Sequence, residues 1–216
     1  MTYVTIDFSL NSPGVCIFKD TYHFISYLKP KSGTKKQQLL QEDMGLLSDV
    51  ILKEQPDFTN VGEYSSIELG KINRYITSAN DIIQIIKELT EGETQFVFAF
   101  EGTSFGSKQG TNNIIDMAAG AAILKLKILE AFNPITIETV APSTIKKHAG
   151  KGNMNKSQLW KVFIENGTGT DEIIKDSEFL LFCVNEIGET TKIPKPFDDL
   201  VDAYFLNSYI QTLNHI

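Results

Sequence analysis

The segment Gln95-Phe96-Val97-Phe98-Ala99-Phe100 is apolar at every position after the glutamine, and Glu101-Gly102 ends it. A strand with one face in water alternates apolar and polar side chains. One that does not alternate is covered on both faces. The chain must therefore build a sheet interior and supply helices for both of its sides. Its 216 residues suffice for one large domain with a real core and fall short of two full ones.

Three short β-like runs open the chain: Tyr3–Phe8, Gly14–Phe18 and Tyr22–Leu28, with Asn11-Ser12-Pro13-Gly14 and Lys19-Asp20-Thr21 between them. Such close spacing predicts an antiparallel meander. From Lys35 to about Lys53, Leu39, Leu40, Met44, Leu47, Val50 and Ile51 recur at roughly helical spacing, and Pro56 stops the pattern. Asn73–Leu89 is a second helical stretch, and residues 57–72 fit no pattern. After the central strand and a Gly/Ser-rich loop, Gly102–Gly110, a helix is expected from about Asn112 to Phe132. Ile135–Val140 reads as a strand and Ser143–His148 and Lys156–Glu165 as short helices. The last helix runs from about Asp198 to Leu213. A meander followed by strand–helix–strand crossovers predicts an α/β fold, with a mixed sheet of antiparallel and parallel strands flanked by helices.

Cys16 and Cys183 lie in apolar stretches without zinc-ligand spacing, which suits buried thiols in a reducing, cytoplasmic setting. No apolar run is long enough for a membrane span of ~18–20 residues, and Asp7 interrupts the first apolar run, so a signal peptide is not expected. A net charge of −7 is unusual for a nucleic-acid binder. The total hides two basic patches. Between Glu138 and Glu165 there is no acid, only Lys146, Lys147, Lys151, Lys156 and Lys161 with His148. Lys29, Lys31, Lys35 and Lys36 form the other.

Four acids stand where acids are uncommon. Asp7 sits within the first strand, between Ile6 and Phe8. Glu101 closes the most apolar strand, where acids either line sites in open sheets or begin the solvated loop. Asp198 suits an N-cap. Asp199 and Asp202 lie on one helical stripe with Ala203, Leu206, Ile210 and Leu213, the stripe expected to face inward. Carboxylates turned toward a core repel one another unless a cation lies between them. An all-oxygen set of Asp7, Glu101, Asp199 and Asp202 would choose Mg²⁺ or Mn²⁺, and two such ions suit phosphodiester cleavage.

These segments also resemble, in order, the RuvC family of Holliday junction resolvases within the RNase H-like fold. Val4-Thr5-Ile6-Asp7 is similar to the family's first strand and Phe100-Glu101-Gly102 to its fourth. Asp116–Ala131, with Ala119-Gly120-Ala121-Ala122, resembles its small-residue helix. Thr139–Lys156 resembles its Pro…Val-Lys…Gly-x-Gly…Lys region, and Asp199-Leu200-Val201-Asp202-Ala203 its closing Asp-x-x-Asp-Ala. The resemblance implies a single RNase H-like nuclease domain over residues 1–216, with a helical insertion at about 30–90 that would suit a viral or mobile-element member. It implies a Mg²⁺- or Mn²⁺-dependent endonuclease that cuts four-way junctions by hydrolysis to a 5′-phosphate. Asp7, Glu101, Asp199 and Asp202 would be the metal ligands, for two ions, and Lys156 would be catalytic. Lys146, or Lys147 one place on, would contact DNA with Lys151 and Lys156, and Phe105 would stack on an unpaired base or tuck into the core. A homodimer would match the junction's two-fold symmetry, and the helix around Gly120 could form its contact or pack on its own sheet. A less selective flap, debranching or terminase-like nuclease, and a junction binder without catalysis, stay open. An actin-like nucleotide binder needs two lobes and is disfavoured by length.

Overall fold

The computed structural model describes residues 1–9, 12–28, 33–55, 64–102, 111–167, 177–188, 190 and 192–214. Six strands form one sheet: β1 (Thr2–Asp7), β2 (Gly14–Phe18), β3 (Tyr22–Leu28), β4 (Val50–Glu54), β5 (Phe96–Glu101) and β6 (Thr136–Val140). Their order is β4-β3-β2-β1-β5-β6. β1, β2 and β3 form the antiparallel meander. β4 joins β3 in parallel, β5 joins β1 in parallel, and β6 joins β5 in parallel.

The helices among the described residues are α1 (Lys35–Met44), α2 (Tyr64–Leu89), α3 (Thr111–Ala131), α4 (Pro142–Ala149), α5 (Lys156–Gly167), α6 (Glu178–Phe182) and α7 (Phe197–Asn214). A π-helical turn, Cys183–Ile187, continues α6. None of these helices is long and apolar enough to cross a membrane.

The helix expected over Lys35–Lys53 ends at Met44, and Val50–Glu54 is an edge strand instead. Thr34 caps α1 through a reciprocal capping box with Gln37. Val50-Ile51-Leu52 then pairs with Phe24-Ile25-Ser26 of β3. A three-residue apolar run fits either period, and a partner far along the chain decides it. α2 starts nine residues earlier than expected, at Tyr64, and α6 with its π turn occupies a stretch to which no element was assigned.

The doubly apolar β5 is covered as its sequence requires. Phe96, Phe98 and Phe100 join Val4, Ile6, Ile82, Ile86, Leu124 and Ile128 in a core under α2 and α3. Val97 and Ala99 join Phe163, Phe179, Leu200, Ala203 and Leu206 in a second core under α5, α6 and α7. The residues of β5 are small on the α7 side, which lets that helix come close to the sheet.

Three contacts lock α7 onto β1 and β2. Thr5 Oγ1 donates to the Ala203 carbonyl at 2.8 Å. Asn207 Nδ2, on a fully buried side chain, donates to the Tyr3 and Cys16 carbonyls at 3.3 and 3.2 Å. Gly14 gives the closest approach: a Cβ there would stand 2.2 Å from the Asp199 carbonyl oxygen. Asn207→Ala should cost about 1–3 kcal/mol, since two buried hydrogen bonds vanish. Urea denaturation with an unchanged slope would show it, and an unaltered midpoint would contradict this account of how α7 is held.

Candidate metal and phosphate site

Strand parity places the first two acids. In β1, Val4 and Ile6 point toward α2 and α3, so Tyr3, Thr5 and Asp7 point toward α7. In β5 the same alternation turns Val97, Ala99 and Glu101 toward α7. β1 and β5 are parallel neighbours with Ile6 opposite Phe100, so Asp7 and Glu101 leave adjacent carboxyl ends of the sheet side by side. α7 crosses this end and brings Asp202. One carboxylate oxygen from each of Asp7, Glu101 and Asp202 lies within 4.8 Å of the others.

The three acids line an open cleft of about 400 Å³ together with Phe8, Ser9, Met117, Lys146, Lys156, Lys195 and Asp199. Asp199 shares the cleft but stands outside the group of three. Its Oδ2 accepts from Ser12 Oγ at 2.8 Å, and its Oδ1 accepts from Lys195 Nζ.

Asp198 is no N-cap. Helix α7 begins at Phe197, and the Asp199 and Leu200 amides donate to the Pro196 carbonyl, which moves the cap position before Asp198. Asp198 instead accepts from Lys156 Nζ at 2.7 Å and lies 3.1 Å from Lys195 Nζ. Lys156 also stands 3.5 Å from Asp202. Its side chain is 55% exposed, yet its ammonium lies within ion-pair distance of three aspartates, the reverse of the usual lysine posture with the charged head in water.

Of the remaining sequence-derived DNA residues, Lys146 lines the cleft. Lys147 and Lys151 are exposed on and just after α4 and do not line it. Phe105 lies outside the described residues, as do Lys29 and Lys31. Gly120, expected to permit a close approach either to a partner or to its own sheet, meets the residue just after β1: a Cβ there would stand 2.7 Å from the Phe8 ring and 3.5 Å from the Tyr75 ring of α2. Phe8 follows Asp7 directly, so α3 braces the strand end that carries the acid.

Electrostatics mark the cluster as short of cations. Burial first, then the charges of Glu101, Asp202 and Asp199, hold the Asp7 carboxyl well above the usual carboxylate range. Burial and then Asp202 push Glu101 up to about 7. Burial raises Asp202 to about 6 despite the opposing pull of Lys156. Burial and Asp198 raise Asp199, against Lys195. Burial works against the charged forms of Lys156 and Lys195, but the surrounding aspartates outweigh it and both are raised. Buried acids with raised affinity for protons have the same appetite for another cation. Three oxygen donors without histidine or cysteine fit a hard divalent ion such as Mg²⁺ or Mn²⁺.

Lys195 and Ser12 escaped the sequence reading. Lys195 lies four residues before Asp199, the spacing of a helical ion pair. It stands ahead of the helix, where periodicity says nothing.

No family model and no curated protein matches the chain. Solved structures do. The yeast mitochondrial Holliday junction resolvase Ydc2 is 12% identical over 95% of this chain and 75% of its own, with a TM-score of 0.51. Thermus thermophilus RuvC is 11% identical, covering 99% of this chain and 96% of that one, with a TM-score of 0.48. The same protein in complex with Holliday junction substrate gives 9%, the same coverage and a TM-score of 0.49. At these identities the likeness is one of fold. The chain shares its mixed α/β fold, six strands flanked by helices, with the yeast mitochondrial resolvase.

Proposed function

We propose that the protein is a structure-selective endonuclease that hydrolyses phosphodiesters in branched DNA with the help of divalent cations, and that four-way junctions are its principal substrate. One observation carries the proposal. Asp7, Glu101 and Asp202 converge at the carboxyl ends of two adjacent parallel strands, in an open cleft that Lys146 also lines. The fold shared with the yeast mitochondrial Holliday junction resolvase supports the choice of substrate class.

Asp7, Glu101 and Asp202 would hold the cation, with Asp199 as the reserve ligand in the same cleft. When bound, the ion activates water and neutralises charge on the phosphate. The chain's own groups supply the rest. Lys146 meets the backbone phosphate at the cleft wall. Lys156 fixes Asp202 and Asp198 by charge. Thr5, Gly14 and Asn207 hold α7 so that Asp202 stays beside the strand ends. The chain acts as one nuclease unit; Lys147 and Lys151 contact DNA outside the cleft, and Phe105 contacts DNA as well.

The proposed homodimer has a candidate face. On α3, Ile115, Ala118, Ala119, Ala122, Leu126 and Leu129 form an exposed stripe at three- and four-residue spacing. Exposed apolar stripes of this kind are interaction surfaces. Two copies joined there would present two clefts to a junction with two equivalent strands. Leu126→Glu with Leu129→Glu should halve the mass measured by light scattering, and a wild-type monomer would remove the dimer from the proposal.

The test is incubation with a synthetic four-way junction, a flap and a linear duplex, in Mg²⁺ or Mn²⁺ and in EDTA. Paired symmetric nicks in the junction, lost with EDTA, are expected. Equal cutting of flaps would make the protein a general branched-DNA nuclease. Tight junction binding without cutting under any metal would leave a binding protein. Lys146→Ala should weaken binding to all DNA forms alike and reduce the slope of log K against log salt by about one. An unchanged slope would take Lys146 off the phosphate.

A further inference from the structure

The acidic cluster is divided unevenly between the protein's own cations. Lys195 Nζ bonds Asp199 Oδ1 and lies 3.1 Å from Asp198 Oδ2. Lys156 Nζ lies 2.7 Å from Asp198, 3.5 Å from Asp202 and 3.9 Å from Asp199. Among the described residues, neither Asp7 nor Glu101 has an ammonium within ion-pair distance.

Asp199 is the most enclosed of these aspartates on α7, with 4% of its side chain exposed. Lys195 takes one of its oxygens and Ser12 the other. A cation reaching Asp199 must therefore displace an ammonium already seated there. Lys195 itself is held by its backbone, since Gln41 Nε2 of α1 donates to its carbonyl at 2.8 Å. Its side chain is 57% exposed, so water can solvate the ammonium once it parts from Asp199.

We infer that Lys195 is a positioning residue whose ammonium competes with a second divalent ion for Asp199, so that the DNA-free protein takes one ion, at Asp7, Glu101 and Asp202. The inference rests on the metal-dependent reading above and adds to it what decides the number of ions. The ammonium leaves Asp199 only when something else satisfies that carboxylate, which makes filling of the place at Asp199 a separate event from filling of the one at Asp7, Glu101 and Asp202.

The test is a count of bound Mn²⁺ on the full DNA-free chain, by calorimetric titration and by the free-Mn²⁺ electron paramagnetic resonance signal. Wild type should take one ion per chain, and Asp7→Asn should lose it. Lys195→Met should bind a second ion at least about tenfold more tightly than wild type does, while Lys195→Arg should behave as wild type. Far-ultraviolet circular dichroism would confirm that each variant is folded. Two ions of like affinity on wild type, or an unchanged second affinity in Lys195→Met, would overturn the role of Lys195 and leave the nuclease reading intact. A wild type that binds no Mn²⁺ at all would overturn the metal reading and this inference with it.

Discussion

Asp7→Asn is expected to raise the melting temperature of the metal-free protein at pH 7–8, to remove its stabilisation by Mn²⁺, and to abolish DNA cleavage while sparing DNA binding. The first effect follows from linkage. Glu101 is pushed up to about 7 and Asp202 to about 6, and Asp7 is held well above its ordinary value, in each case by burial first. A carboxyl whose folded pKa exceeds its unfolded one binds more protons when folded. Its contribution to stability is present below the unfolded value of about 4 and is lost as pH rises through the folded value. Metal-free wild type should therefore be more stable at pH 5 than at pH 8, with the Glu101 and Asp202 part of the loss beginning near pH 4 and complete by about pH 7. Removing the Asp7 charge lowers the repulsion on Glu101 and Asp202. Because the three titrate together the gain is a few kcal/mol at most, or a rise of about 5 °C for a chain of this size. The loss in rate is larger. A bound ion supplies several kcal/mol at the transition state, so cleavage should fall at least about a thousandfold. Scanning calorimetry in EDTA and in Mn²⁺, beside a junction-cleavage assay, checks all three effects. A melting temperature that falls in EDTA, with DNA binding lost too, would mean that Asp7 serves the fold instead.

The acids were legible because their oddity is local. Aspartate in Val4-Thr5-Ile6-Asp7 and glutamate at the end of an apolar run break patterns that can be read from a few residues, and strand parity then carries both to one face. The i, i+3 spacing of Asp199 and Asp202 did the same for α7. What stayed hidden depends on partners distant along the chain. Val50-Ile51-Leu52 continues the helical spacing from Leu47, and only its pairing with β3 makes it a strand. Asp198 carries a good capping residue type, yet the Pro196 carbonyl starts the helix and two lysines claim the side chain. Gly120 signals a close approach without saying by what, and the answer is the ring of Phe8, distant along the chain but adjacent in the fold. The division of Asp7, Glu101 and Asp202 from Asp199 is of the same kind, since it arises from Ser12 and Lys195 reaching Asp199 from two separate segments.

Gly14→Ala should be the most damaging single-methyl change near the site. Gly14 lies opposite Asp7 in the β1–β2 ladder, with its α-carbon facing the first turn of α7. The added carbon would stand 2.2 Å from the Asp199 carbonyl oxygen, 2.5 Å from its carbonyl carbon and 3.0 Å from the Leu200 amide nitrogen. All three are backbone atoms, so no side-chain rotation relieves the contact, and either β2 or the start of α7 must shift. Overpacking of this kind costs roughly 1–3 kcal/mol and occasionally more. The shift also falls on the turn that carries Asp199 and leads to Asp202, where a displacement of about 1 Å can cost around a hundredfold in rate. The expected result is a fold that survives, as circular dichroism would show, with a lowered melting temperature, a Mn²⁺ affinity reduced in step with cleavage, and DNA binding through Lys146 little changed. Gly120→Ala offers the comparison: its added carbon meets a phenylalanine ring, which can tilt, and should cost less on every measure. If Gly14→Ala cleaves and binds Mn²⁺ as wild type does, then the placement of α7 against β2 is not what sets the geometry of the acids.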